Sequence, residues 1–316
     1  SPWAEGYHQL WHQHIALRGT GWGLDLSLHH WINDGLMAMF FFVVGLELKR
    51  EMLAGALSRP KDALLPVAAA IGGMVVPASV FLLFNPTGEA HAGWGIPMAT
   101  DIAFALGLLA LLGSRVPVAL KVFLTTLAVA DDLGAVVVIA LFYTSDLSFL
   151  NLLIGAGFLG MMLLGNRLGV RSPWFYALFG IGGLWTAFLL SGVHATIAGV
   201  LAAFTIPATP KVEAAVYARR MRAHLAHFVA SDAPNKGIRT AEQLHAMERM
   251  ERLGNYATTP LQQLEHPLHP LVTFLVLPLF ALANAGVTLP DDVLGALATP
   301  VALGVGLGLL LGKPVG

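Results

Sequence analysis

Two adjacent aspartates, Asp131 and Asp132, stand where a membrane-crossing helix tolerates charge least. They fall in the apolar run 118–143, whose midpoint lies between residues 130 and 131. One Asp at the centre of a spanning helix costs about 2.5–3.5 kcal/mol on insertion scales, and two adjacent ones approach twice that. Repulsion adds to the cost when both ionise. Successive helical residues point about 100° apart, so one carboxylate can line a cavity while its neighbour meets another helix. A single Asp could serve only to hydrogen-bond a neighbouring helix, but that explanation suits one member better than the pair. The pair is expected to be a functional site.

Asp101 has a different setting. The segment Gly93-Trp-Gly-Ile-Pro97-Met-Ala-Thr100-Asp101 precedes the apolar run Ile102–Leu112. Pro97 disfavours continuous helix, and Thr-Asp is a natural N-cap pair. Too few residues come after Asp101 to cross a bilayer, so the helix start belongs inside the membrane. Irregular backbone at that depth is tolerated only when it is buried in protein or lines a water-filled cavity. The positive end of such a broken helix needs a nearby negative group, and Asp101 supplies one. The competing reading is an ordinary surface helix that begins at residue 101.

Further charges recur near the ends of the apolar runs. Lys313 sits in Gly312-Lys-Pro-Val-Gly, where the ammonium can snorkel to the interface or serve inside the membrane. Two clusters occupy a rim, Gly45-Leu-Glu47-Leu-Lys49-Arg50-Glu51 and Leu264-Glu265-His266-Pro-Leu-His269. Rim charges are often only solvated helix ends, although histidines can respond to physiological pH. His8, His12 and His14 lie together near the N-terminus without a carboxylate framework, so a metal site is not expected there.

These residues need an apolar scaffold, and the composition supplies one. The 316 residues are 56% hydrophobic and 12% charged, with a mean hydropathy of +0.70. Soluble domains carry roughly 25% charged residues. Soluble enzymes, nucleic-acid binders and disordered scaffolds therefore fit poorly. A formal net charge of -1 gives no argument for a polyanionic partner, and the absence of cysteine excludes disulfides and thiolate chemistry. The sequence is that of an integral membrane protein.

Apolar runs fall near 29–46, 64–84, 94–113, 118–143, 147–165, 174–190, 192–207, 267–285 and 296–316. A spanning helix needs about 20 predominantly apolar residues, so the expected architecture is an all-α polytopic membrane protein with about nine transmembrane helices. The alternation of a membrane barrel is missing. The stretch 208–265 holds eight of the 18 basic and six of the 19 acidic residues. Within it, Val212–Ala230 and Thr240–Leu253 look helical and amphipathic. The domain expectation is one transmembrane unit, 1–316, with a cytoplasmic loop insertion at 208–263. Every second connection between runs carries Lys or Arg, so the positive-inside rule places those connections in the cytoplasm and brings the chain in from outside at about residue 29. Ser1–Leu28 shows no signal-peptide pattern, and the chain stops within an apolar run. It is expected to be an internal piece of a longer polytopic protein.

The sequence closely resembles the NhaA-type sodium/proton antiporters. The motifs that carry the resemblance are Trp31-Ile-Asn-Asp34, Phe42–Glu51, Ala99-Thr-Asp101-Ile-Ala-Phe-Ala-Leu-Gly107, Leu127-Ala-Val-Ala-Asp131-Asp132-Leu-Gly, Ser191-Gly-Val-His194-Ala-Thr-Ile-Ala-Gly199, Leu264–Pro270, Leu277–Gly286 and Gly312-Lys313-Pro. They cover nearly the whole chain outside 208–263. The resemblance implies an inverted-repeat fold with helices interrupted at the midplane, for which NhaA is a known example. It implies that Asp132 is the principal sodium-binding carboxylate, with Asp131 beside it and Lys313 paired to Asp131. Thr100 and Asp101 match the break in the first interrupted helix. Glu47, Lys49, Arg50, Glu51, Glu265, His266 and His269 match a cytoplasmic rim implicated in pH activation. The family has twelve spans, so this chain would lack most of the first and the last ones. Its loop 208–263 is longer than in the best-known member.

The implied activity is secondary transport, not enzymatic catalysis. Cytoplasmic sodium or lithium exchanges for external protons across a bacterial inner (plasma) membrane, which serves sodium and pH homeostasis. A carboxylate can hold either a sodium ion or a proton, and burial with mutual repulsion moves proton release toward physiological pH. The partners are those ions and the lipid bilayer, with no cofactor and no nucleic acid, and a homodimer is compatible with such a chain. An intramembrane aspartyl protease is disfavoured because Gly-x-Gly-Asp is absent. The alternative is a sodium-coupled organic-solute symporter of related fold.

Overall fold

The computed structural model describes residues 4–19, 22–100, 111–112, 115–143, 147–231, 238–287 and 292–316. The chain opens with α1 (Ala4–Trp11) and a hairpin of β1 (His14–Gly19) and β2 (Trp22–Ser27), paired antiparallel from His14 opposite Ser27 to Gly19 opposite Trp22. This small sheet was not expected. It lies outside the apolar runs, which are mainly helical where they are described.

Five long apolar helices come next among the described residues: α2 (Leu28–Ala54), α3 (Pro60–Phe84), α4 (Val118–Phe142), α5 (Phe149–Arg167) and, later, α10 (Pro260–Asn284). Three shorter apolar helices join them: α6 (Pro173–Leu189), α7 (Thr196–Thr205) and α12 (Pro300–Val315), the last preceded by a short α11 (Val293–Leu297). They coincide with the expected runs except 94–113, most of which lies outside the described residues. Large apolar side chains such as Leu64, Leu83, Phe149 and Phe274 point outward. That suits a hydrocarbon solvent, in which apolar surface needs no shielding.

Local chemistry accounts for the helix boundaries. The Ser27 hydroxyl accepts from the His30 N–H at the start of α2. Proline occupies the first turn of α3, α6, α10 and α12, where its missing N–H costs nothing. Gly192 turns the chain between α6 and α7 with φ of 82°. Helices α2 and α7 pack at very close range. A Cβ on Gly199 would lie 2.2 Å from the Ala38 carbonyl oxygen, so only glycine admits this approach. The resulting core joins Ala38, Leu46, Ala198, Ala202 and Ala203 to Leu184 and Trp185 of α6.

The polar stretch forms two helices, α8 (Ala214–Ala230) and α9 (Ala241–Ala257), close to the expected bounds. Thr240 and Gln243 make a capping box at the start of α9, and Thr259 with Gln262 repeats it for α10.

Candidate functional site

Helix α4 carries the aspartate pair at its middle, and two other segments converge on Asp131. The Lys313 Nζ donates to Asp131 Oδ2 at 2.7 Å, and the Thr100 hydroxyl donates to the same oxygen at 2.5 Å. The Asp131 side chain is 7% exposed and that of Lys313 20%. Asp131 Oδ1 is buried and has no hydrogen-bond partner among the described residues. Asp132 is half-buried beside it. An isolated buried ion would be very costly, whereas a paired, hydrogen-bonded one can be sustained. Lys313 and Thr100 supply such partners to Asp131.

Two glycine contacts place Lys313. Helix α12 runs along α3, and a Cβ on Gly308 would lie 3.2 Å from the Pro77 carbonyl oxygen. A Cβ on Gly312 would come within 2.8 Å of the Pro77 Cα. Side-chain-free contact at Gly312 thus brings α12 onto α3 one residue before Lys313. A π-helical turn, Gly308–Gly312, lies immediately upstream. Such turns often mark functional positions, because the wider turn rotates the side chains downstream of it. Asn85 secures the far end of this helix pair: its amide donates to Phe81 O at 3.2 Å and to Pro300 O at 3.0 Å.

Thr100 reaches the site from an irregular stretch. A 3-10 helix, Glu89–Met98, ends at Pro97-Met98, and Ala99 is extended with φ of -65° and ψ of 140°. The Tyr143 hydroxyl ties this helix to the end of α4, donating to Ala92 O at 2.6 Å and accepting from Gly95 N at 2.9 Å. The backbone is therefore non-helical just ahead of Asp101, which itself lies outside the described residues. Thr100 spends its hydroxyl on Asp131, a cross-segment contact that its local sequence did not signal.

The rim residues divide into two kinds. Arg50 on α2 meets Glu265 on α10 at 3.3 Å and Glu51 at 3.7 Å, while Glu47 faces His269 at 3.7 Å. His266 is exposed. Lys49 turns away from this cluster: its ammonium donates to Phe204 O at 2.7 Å and Ile206 O at 2.5 Å. It caps the last carbonyls of α7, where a cation also complements the helix dipole.

A polar junction missed by the sequence reading joins the other ends of α2 and α10. Asn284 Nδ2 donates to Asn33 Oδ1 at 2.9 Å, and His29 Nε2 lies 3.2 Å from Asn284 Oδ1. The apolar periodicity around both asparagines gave no hint of it, though an amide in a spanning helix signals a partner in general. Near the N-terminus, His14 pairs with Asp25 across the hairpin at 2.8 Å. Among the described residues, no group of three or more His, Asp or Glu is placed to hold a metal ion.

The family described as Na+/H+ antiporter 1 matches residues 1–316. The chain belongs to this family. Among similar proteins, the Na(+)/H(+) antiporter NhaA of Oleidesulfovibrio alaskensis is 52% identical over 319 residues, covering 100% of this chain and 70% of its own length. The Na(+)/H(+) antiporter NhaA 1 of Saccharophagus degradans is 50% identical, with 100% and 68% covered. The Na(+)/H(+) antiporter NhaA of Acidithiobacillus ferrooxidans is 50% identical, with 100% and 73% covered. The Na+/H+ antiporter 1 family accounts for the multi-pass helical architecture. Its members' names give no support to the solute-symporter alternative.

Proposed function

We infer that the protein is a Na+/H+ antiporter, a secondary transporter that exchanges sodium, or lithium, for protons. The observation that carries this reading is the membership of the whole chain in the antiporter family, joined to a mid-helix aspartate pair with one member already paired to a lysine. With Asp131 neutralised by Lys313, the adjacent Asp132 is the carboxylate that alternates its cargo. Sodium, a hard cation, takes oxygen ligands, and Asp132 would bind either that ion or a proton. Occupancy by one displaces the other. If the site opens to one side at a time, a gradient of either ion drives the other without ATP.

In this reading Asp132 is the principal ligand. Asp131 shapes the local field, and Thr100 and Lys313 hold it in place. Asp101 offsets the positive end of the interrupted helix. Glu47, Arg50, Glu51, Glu265, His266 and His269 tune the response to pH from the rim. The transporter is a single unit in the inner membrane, the loop 208–263 lies in the cytoplasm, and exchange of one ion for the other calls for no cofactor. Reconstitution in liposomes with a pH-sensitive dye tests the exchange. A sodium pulse should move protons in the opposite direction without any organic solute, and exchange that depended on an added solute would point to symport instead.

A further inference from the structure

The hairpin of α8 and α9 encloses a polar cleft of about 360 Å3, faced by Arg220 and His224 from α8 and by His245, Arg249, Arg252 and Tyr256 from α9. The residues of α9 recur at three- and four-residue spacing, so they form one stripe along the helix. Arg220 and His224 form the facing stripe on α8. Among the described residues of the lining, Glu248 is the one carboxylate, and it is engaged by His245 at 3.7 Å and Arg252 at 3.3 Å. Arg220 and Arg249 have no carboxylate partner among the described residues. Cations gathered in this way repel one another, a cost that an anion placed between them would remove.

The cleft is anchored at its base. Lys211 N donates to Tyr256 O at 2.9 Å, and the Lys211 ammonium stands 4.9 Å from the Tyr256 ring centre. Beyond the end of α5, Arg171 donates to Thr209 O at 2.8 Å and Thr258 O at 3.0 Å. The cleft therefore opens on a preorganised hairpin held against the ends of the spanning helices. Guanidinium forks match the oxygens of phosphate better than a point charge does.

We propose that the α8–α9 cleft binds a phosphate-bearing anion, gripped by Arg220 and Arg249 with Arg252 at its edge. The phosphate belongs either to an anionic lipid headgroup at the adjacent membrane surface or to a soluble compound. Both sources present the same chemistry to the cleft, and two arms of one experiment separate them.

In the first arm, inorganic pyrophosphate is titrated calorimetrically into the detergent-solubilised protein. In the second, thermal unfolding is compared in vesicles of phosphatidylcholine with and without phosphatidylglycerol. The variants are Arg220→Gln with Arg249→Gln, and as a charge-matched control Arg219→Gln with Arg222→Gln on exposed positions of α8 outside the cleft. The cleft variant should lose at least about tenfold in affinity, or the lipid-dependent stabilisation, as expected for losing charge-assisted hydrogen bonds. The control should change little. A response to pyrophosphate alone assigns a soluble ligand, and a response to phosphatidylglycerol alone assigns a lipid. No response in either arm, or equal losses in the two variants, overturns the proposal.

Discussion

Lys313 and Asp131 meet at 2.7 Å across 182 positions of sequence, between α12 and the centre of α4. Neither element would otherwise have reason to carry a charge at that depth. The pair explains both, since each ion offsets the other's desolvation. Replacing Lys313 with Ala should leave Asp131 without its cation and cost about 3 kcal/mol, the lower end for removing one partner of a buried pair. Thermal unfolding in detergent measures this. Adding Asp131→Asn to Lys313→Ala should recover part of the loss, because the stranded charge is gone. A single variant as stable as wild type, with an unchanged pH profile of exchange, would favour an ammonium that merely snorkels.

Asp132→Asn keeps the side-chain shape and removes the charge that would hold sodium. The variant should insert and fold normally yet show no sodium-driven proton movement in liposomes. Wild-type exchange by this variant would refute Asp132 as the principal ligand.

Lys49 separates from its rim neighbours by what it touches. Lys49→Met should destabilise the protein by about 2 kcal/mol, because it strips charge-assisted hydrogen bonds from the carbonyls of Phe204 and Ile206. The pH dependence of exchange should stay where it is. A shifted pH profile at unchanged stability would return Lys49 to the regulatory set.

Glu265→Gln and His269→Gln should behave in the opposite way. Arg50 and His269 are 47% and 60% exposed, so each ion pair contributes at most about 1 kcal/mol. Unfolding temperatures should barely move, while the pH profile of exchange shifts. Profiles that overlay the wild type for both variants would remove the rim from pH control.

The contact of α2 with α7 gives a test of the scaffold alone. Gly199→Val would drive a side chain into the Ala38 backbone. It should cost about 3 kcal/mol, the upper end of the overpacking range, and reduce the amount of folded protein recovered from membranes. Recovery and thermal stability equal to wild type would mean that the two helices can separate more easily than their packing suggests.

Much of this architecture could be read from residues alone. Length and apolarity locate spanning helices because the bilayer demands both, and α2, α3, α4, α5 and α10 fall on the expected runs. The place of Asp131 near the middle of its helix came from the same count. The polar, amphipathic pattern from Thr240 onward marked α9, whose start the structure closes with Gln243. The features that escaped notice were either short or distant. The β1–β2 strands are six residues each, too brief for a search tuned to membrane-length runs. The turn of Lys49 toward α7 and the pairing of Asn33 with Asn284 depend on which helices become neighbours, and no local spacing encodes that.

The double fastening of α2 to α10 constrains how the protein can move. Asn33 meets Asn284 at one end, while Glu47 and Arg50 meet His269 and Glu265 at the other. From Asn33 to Arg50 a helix rises about 25 Å, close to the hydrocarbon thickness. The two helices thus form a strut latched at both ends, and neither can slide past the other without breaking a latch. Asp131 and Lys313 lie off this strut, on α4 and α12. The strut meets α4 through an apolar seam where Val136 packs with Ile197 and Val200 of α7 and with Phe41 of α2. Apolar surfaces of that kind carry no directional bonds, so a shift along them leaves no polar group unmatched. Rocking of the aspartate-bearing helices against a stationary strut would therefore be taken up along the Val136 seam.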